Sequence, residues 1–282
     1  MSDGHRAKKS LGQNFLVDAN QQRRIVAGLN PGPDDTVLEI GPGQGALTQH
    51  LAATARRLIL VELDDGLAAA LARQYADRPH VTVVHADFMD IDLRTVVEDP
   101  RDLLVIGNIP YNITTPIIFR LLDRAIRPRR IVLMIQREVA DRILAPAGNT
   151  DYGALSVGVR SVAHVERLFN VARGSFRPVP RVDSTVIRIE PMQPPPLTER
   201  EELDLRTLTR VTFSWRRKQL QKTLRAAPAY LLDSGEAAQL EAQTGIHLKG
   251  RPEQLSPAQF IDLSRALRRA GRPHEIQTGA EA

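Results

Sequence analysis

Thr36-Val37-Leu38-Glu39-Ile40-Gly41-Pro42-Gly43-Gln44-Gly45 decides the fold of this chain. A short run of strand-forming residues enters a turn with glycine at every second position, and Leu47 and Leu51 then mark the apolar face of a helix. Strand, glycine turn and helix open a βαβ unit. The pattern recurs downstream. Leu58–Glu62, Val81–Val84, Leu103–Ile106 and Arg130–Ile135 read as further strands, and a helix through Val139 and Ile143 follows the last of them. Alternation at this spacing predicts an α/β fold built on a doubly wound, Rossmann-like parallel sheet. On such sheets ligands sit at the strands' carboxyl ends, near the switch in strand order. Gly41, Glu62, Asp87 and Asn108 all fall at such ends.

Before the first strand, Arg6, Lys8 and Lys9 form a basic arm, and Gly12-Gln13-Asn14-Phe15-Leu16 reads as a polar loop. Asp18 is a plausible N-cap for a helix with Ile25, Val26 and Leu29 on one face, ending near Asn30-Pro31-Gly32-Pro33. Beyond the fifth strand, Tyr152–Val157 reads as a packed helix, and His164–Phe169 and Ser184–Ile189 as strands. Phe176-Arg177-Pro178-Val179-Pro180 between them is a rigid, extended loop. The proline-rich stretch 191–196 marks a domain boundary. Past it the pattern is helical, from about Thr198 to Arg225 and again from Ser256 to Arg269. The expected organisation is an arm and loop over 1–17, the α/β domain over 18–190, a small all-α domain over 197–270, and a disordered tail over 271–282.

Composition narrows the chemistry. With 282 residues, 42% of them hydrophobic, the chain can bury a large core. It has no cysteine, which removes disulfides, thiolate catalysis and cysteine-ligated metal and accords with a reducing, cytoplasmic location. The seven histidines are scattered without metal-ligand spacing, so no metal site is expected. No apolar run approaches the ~20 residues that span a bilayer, and no apolar run follows the basic arm as in a signal peptide. A membrane partner is not expected. The formal charge of +5 leans towards a polyanion.

The glycine turn fits two ligands. Gly41-x-Gly43-x-x-Ala46 satisfies a loose dinucleotide pattern, with Glu62 on the adenosine ribose. It equally satisfies the Gly-x-Gly-x-Gly turn of S-adenosylmethionine (SAM) enzymes. Glu39 at the mouth of the turn favours SAM, because a carboxylate there repels a pyrophosphate and attracts a cationic amino acid and sulfonium. Asp87 adds an acid suited to an adenine amine. In Gly107-Asn108-Ile109-Pro110-Tyr111-Asn112, the Asn108 amide oxygen and the Ile109 carbonyl can accept from an exocyclic NH2, and Tyr111 offers a stacking face. A strand terminus with turn residues and a packed tyrosine is the plainer alternative.

With those residues in place, the chain resembles the rRNA adenine dimethyltransferases from about Ala7 to Leu267, and within them the small-subunit (KsgA-type) rather than the antibiotic-resistance (Erm) branch. The resemblance is carried by Gly12–Leu16, Glu39–Gly43, Asn108–Ile113, Gln136–Ala140, Asp151–Val157, Phe176–Ser184, Arg216–Lys218 and Arg251–Leu255. Departures are Ile109 where leucine is commoner, Trp215 before the arginine pair, and Lys222 where asparagine is commoner. The resemblance implies SAM contacts from Asn14, Leu16, Gly41, Glu62, Asp87 and Asn108. It implies catalytic positions at Asn108, Tyr111 and Phe176, the last facing Tyr111 across the target base. It implies methylation of two adjacent adenosines in small-subunit (16S) rRNA within an immature 30S particle, by a monomer. Between Arg206 and Arg225 stand seven basic residues and no acid. In this context Arg216, Arg217, Lys218, Lys222 and Arg225 are expected to hold RNA phosphates, with Arg124, Arg127, Arg129 and Arg130 as a second basic cluster. A large-subunit methyltransferase, an assembly factor that acts by binding, and a nicotinamide oxidoreductase are the rival readings.

Overall fold

The computed structural model describes residues 13–111 and 113–273. Arg6, Lys8, Lys9, Gly12, Asn112 and most of the expected tail lie outside the described residues. The strands are β1 (Phe15–Leu16), β2 (Thr36–Ile40), β3 (Arg57–Glu62), β4 (Val81–His85), β5 (Leu104–Asn108), β6 (Arg130–Gln136), β7 (Ala163–Val171), β8 (Phe176–Arg177) and β9 (Ser184–Pro191). The α-helices are α1 (Ala19–Leu29), α2 (Thr48–Leu51), α3 (Asp65–Gln74), α4 (Thr114–Leu121), α5 (Arg137–Leu144), α6 (Ala154–Arg160), α7 (Glu199–Ser214), α8 (Leu220–Ala226), α9 (Ser234–Thr244) and α10 (Pro257–Arg269).

The described residues fall into two compact units. The first runs to Ala140 and takes in Ala163–Met192; the second comprises Asp141–Val162 and the residues from Gln193 onward. In the first unit a seven-stranded sheet has the order β4-β3-β2-β5-β6-β9-β7. β2 pairs in parallel with both β3 and β5, while β9 runs antiparallel to β6 and β7. Parallel strands covered on both faces need continuous apolar sequence rather than alternation. Leu58–Leu60, Leu104–Ile106 and Ile131–Leu133 supply it, all fully shielded from solvent. The order reverses between β2 and β5, so the glycine turn and Asn108 leave the sheet side by side. β1 and β8 make a separate two-stranded ribbon in which Leu16 pairs with Phe176.

The helix after the glycine turn is shorter than its sequence suggests. Only Thr48–Leu51 is helical, because a left-handed Gly45 and a turn occupy the preceding residues.

In the second unit Phe213 packs between Tyr152 and Phe260, with ring centroids at 6.0 and 5.6 Å. The Tyr152 hydroxyl donates to the Leu255 carbonyl at 2.7 Å, and Gly148 N–H to the Glu253 carbonyl at 2.7 Å. These contacts place Asp141–Val162 in the helical unit, a correction to the single span 18–190 read from sequence. The expected continuous helix from Thr198 to Arg225 is two helices, broken at Trp215–Gln219 by a turn in which Lys218 N–H reaches the Trp215 carbonyl at 2.8 Å. α9 went unrecognised in the sequence, though Asp233 and Glu236 form a capping box and Gly245 ends the helix in the left-handed conformation.

Candidate active site

The glycine turn needs its glycines for two reasons. Gly41 and Gly43 sit at φ +63° and +58°, a region that strains any residue with a Cβ. At Gly43 a Cβ would also meet the Phe15 ring at 3.2 Å. The turn thus aims the Gly43 N–H at Glu62 Oε2, 2.9 Å away, while Oε1 accepts from Asp64 N–H at 2.9 Å. Backbone donors therefore fix the Glu62 carboxylate at the end of β3. Each oxygen keeps a lone pair, and the pair suits two vicinal hydroxyls.

Glu39 behaves differently from the sequence expectation. It is only 2% exposed, and Thr48 Oγ1 donates to its Oε2 at 2.7 Å. Burial pushes its pKa up to about 8; the Thr48 hydrogen bond opposes the rise, and the negative charge of Glu62 adds to it. The carboxyl is therefore mostly protonated at neutral pH, rather than a standing negative charge at the turn's mouth.

Across the switch point, Asn108 Nδ2 donates to the Asn14 carbonyl at 3.0 Å. A carbonyl can only accept, so this bond decides which way round the amide sits and leaves Oδ1 as its resource towards a ligand. Asp87 Oδ1 accepts from Met89 N–H at 2.8 Å. The Tyr111 hydroxyl lies 3.3 Å from Ser184 Oγ, and burial holds the phenol above its ordinary pKa. Phe176 is 1% exposed and packs in one apolar cluster with Leu16, Val171 and Val186. Phe176 thus meets the cavity from the buried core rather than from solvent.

One cavity of about 500 Å³ gathers all eight expected positions: Asn14, Leu16, Gly41, Glu62, Asp87, Asn108, Tyr111 and Phe176. Its size is that of a site for a small organic ligand. SAM fits the donor set: a diol acceptor at Glu62, an acid at Asp87, a glycine turn the backbone can offer closely, and apolar walls from Ile40 and Phe88. Gln22, Phe15 and Phe88 also line the cavity and were not singled out in the sequence.

The second unit divides the basic run. Arg217, Lys218 and Lys222 line a groove of about 640 Å³ together with Lys249 and Arg251. Arg216 is engaged otherwise: its Nε meets Glu253 at 2.7 Å and its Nη2 the Asn149 carbonyl at 3.1 Å. Arg225 donates to Ser234 Oγ at 2.6 Å. In the first unit, three of the four arginines between Arg124 and Arg130 are engaged within the chain. Arg127 is 1% exposed with Nε on the Leu122 carbonyl, Arg129 pairs with Asp35 at 2.6 Å, and Arg130 with Glu190 at 2.8 Å. Each of these three arginines thus has a partner within the chain.

Comparison with known proteins identifies the family. Residues 4–269 match the family described as "Ribosomal RNA adenine dimethylase". The chain is 41% identical over 263 residues to "Ribosomal RNA small subunit methyltransferase A" of Pseudomonas syringae pv. syringae, covering 93% of this chain and 95% of that one. It is 43% identical over 272 residues to the protein of the same name from Geobacter metallireducens, covering 95% and 98%. Among solved structures, a dimethyladenosine transferase from Plasmodium falciparum superposes with a TM-score of 0.75 at 25% identity, covering 92% of this chain and 98% of that one. The 23S rRNA methyltransferase ErmE superposes with a TM-score of 0.69 at 28% identity, covering 90% and 100%. The chain belongs to the ribosomal RNA adenine dimethylase family.

Proposed function

We propose that the protein transfers methyl groups from SAM to the exocyclic N6 of two adjacent adenosines in the loop of a 3′-terminal hairpin of small-subunit (16S) rRNA, giving N6,N6-dimethyladenosines during small-subunit biogenesis. The observation that carries this reading is the single cavity in which Glu62 and Asp87 stand beside an Asn108 amide oriented by the Asn14 carbonyl.

SAM supplies a methyl group on a sulfonium, a good leaving group. The chain's own contribution is placement. Adenine N6 is a weak nucleophile because its lone pair is delocalised into the ring. Asn108 Oδ1 and the Ile109 carbonyl hold the amine hydrogens and turn the lone pair towards the methyl. An amide is no base at neutral pH, so the proton leaves to water and the rate rests on alignment. Tyr111 and Phe176 flank the extruded base, stacking being worth roughly 1–3 kcal/mol per ring. Glu62 holds the ribose hydroxyls, Asp87 the adenine amine of SAM, Gly41 admits the methionine part, and Asn14 and Leu16 cover it.

The basic groove at Arg217, Lys218 and Lys222 positions the enzyme on folded rRNA through phosphates, while the cavity selects the base. The natural substrate is the rRNA of an immature 30S particle, met in the cytoplasm by a monomer. Identity of 41–43% to small-subunit enzymes, against 28% to ErmE, favours the small subunit over the large. The test is incubation with separated small and large ribosomal subunits and labelled SAM, followed by mapping of the product. Label on adjacent adenosines of small-subunit rRNA is expected; label on large-subunit rRNA alone refutes the assignment.

A further inference from the structure

Gln22 occupies a core position that sequence logic reserves for an apolar side chain. α1 buries Gln22, Ile25 and Leu29 on one face, and Gln22 is 7% exposed. A buried amide is costly unless both ends find partners. Here they do, through a chain of bonds whose direction is determined at every link. Gln49 Nε2 donates to the Ala46 carbonyl at 3.2 Å, which settles the orientation of that amide. The same nitrogen donates to Gln22 Oε1 at 3.1 Å, and His50 Nε2 lies 3.3 Å from that oxygen. Gln22 Nε2 is thereby turned to the Leu16 carbonyl, to which it donates at 3.0 Å.

The target of this relay is the segment Asn14–Leu16, which lines the cavity. The segment is gripped from two sides, at the Asn14 carbonyl by Asn108 from β5 and at the Leu16 carbonyl by Gln22 from α1. Immediately after it, Val17 N–H reaches the Ser175 carbonyl at 2.9 Å. We infer that Gln22 is a positioning residue for SAM binding, acting through the Leu16 carbonyl to set the Asn14–Leu16 segment against the cavity. This deepens the proposed function and rests on the cavity being the SAM site.

The experiment measures the dissociation constant for SAM by titration calorimetry on the full chain without RNA, together with hydrogen exchange of the Val17 amide in the ligand-free protein. Gln22→Met keeps the length and apolar fit but removes the bond to Leu16 and the contacts with Gln49 and His50. It is expected to weaken SAM binding about two- to tenfold, the net worth of a neutral hydrogen bond. Val17 exchange should accelerate, and kcat at saturating SAM should stay within about twofold. Gln22→Glu keeps the acceptor for Gln49 but sets an anion against the Leu16 carbonyl, so it should be no better than Gln22→Met. A folded Gln22→Met in which either SAM affinity or Val17 exchange stays parental overturns the inference: parental affinity leaves only a structural role, and parental exchange leaves only a direct contact of Gln22 in the cavity wall. Should Gln22→Met fail to fold, Gln49→Leu, an exposed position, carries the test, and parental affinity and exchange there overturn it. A parental chain that binds no SAM sinks the reading of the cavity instead.

Discussion

The raised pKa of Glu39 makes SAM affinity depend on pH in a direction that follows from the structure. The carboxyl lies in the cavity wall with its pKa at about 8, so in the ligand-free protein at pH 7 roughly nine molecules in ten carry the proton. A ligand bringing an ammonium and a sulfonium into the cavity is bound best by the ionised form, and binding must expel that proton. The apparent dissociation constant then scales with one plus the ratio of protonated to ionised Glu39. That factor is about 100 at pH 6 and about 4 at pH 7.5, so affinity should rise roughly twentyfold over the interval. The window stays below the α-amine range of about 7.7–8.0, where the ligand's own charge is lost. Calorimetry in buffers of different ionisation enthalpy should also find close to one proton released per SAM at pH 6.5. Glu39→Gln keeps the shape and an acceptor for Thr48 Oγ1 but cannot titrate, so its affinity should be nearly flat across the same range. A parental affinity that varies less than threefold between pH 6 and 7.5 refutes the reasoning, as does a Glu39→Gln variant that keeps the parental slope. The sign for folding is the reverse. A carboxyl whose folded pKa lies above its unfolded value stabilises in full below about 4.5, and that stability drains away as pH rises to 8, by at most about 1.4 kcal/mol per pH unit.

Three further outcomes follow from the same geometry. Asn108→Ala should lower kcat about a hundredfold, the scale of lost alignment, in single-turnover assays on small-subunit particles; a parental rate would remove Asn108 from its role. Tyr111→Ala should reduce kcat/KM for RNA by the roughly 1–3 kcal/mol of one stacked ring while SAM affinity holds, and the opposite pattern would take Tyr111 out of the base pocket. Arg217→Glu with Lys222→Glu should weaken rRNA binding and flatten its salt dependence, the log–log slope falling by about one per lost phosphate contact; unaltered ribosome binding would exclude the groove.

The sheet was legible chiefly through β3, β5 and β6, each an unbroken apolar run ending in a polar residue, because burial on both faces enforces that signature. The cavity was legible for the same reason: Gly41, Glu62, Asp87 and Asn108 are strand-end residues, and topology brings strand ends together. What sequence could not show was pairing across distance. Arg216 and Arg217 are indistinguishable in a basic run, yet one is occupied by Glu253, 37 residues away, and the other lines the groove. Arg127 reads as part of a phosphate-binding cluster and is in fact buried on the Leu122 carbonyl. Asp141–Val162 carries no boundary signal, because its allegiance to the helical unit comes from Tyr152 reaching Leu255, 103 residues on. Gln22 did leave a trace, an amide in the stripe of Ile25 and Leu29, which amounts to a local inconsistency of the kind that marks functional positions.

The proposed mechanism uses no acid–base catalysis and so places its whole demand on geometry, and the polar groups of this cavity are held in keeping with that demand. Glu62 is set by two backbone N–H groups, Asp87 by the Met89 N–H, and Asn108 by the Asn14 carbonyl. Each partner belongs to the main chain of the sheet ends and the loops beside them, so none must reorganise when the ligands arrive, which is the condition for preorganised stabilisation. Glu39 stands apart. It accepts from a side-chain hydroxyl, Thr48 Oγ1, and its charge is suppressed by burial rather than fixed by backbone donors. It is therefore the group in the wall whose state can change between the ligand-free and the loaded cavity. On the proposed reading, a cation entering there would meet a site that is nearly neutral when ligand-free and becomes anionic on binding, and the methyl donor would be retained by a charge that the protein need not keep buried and unpaired between turnovers.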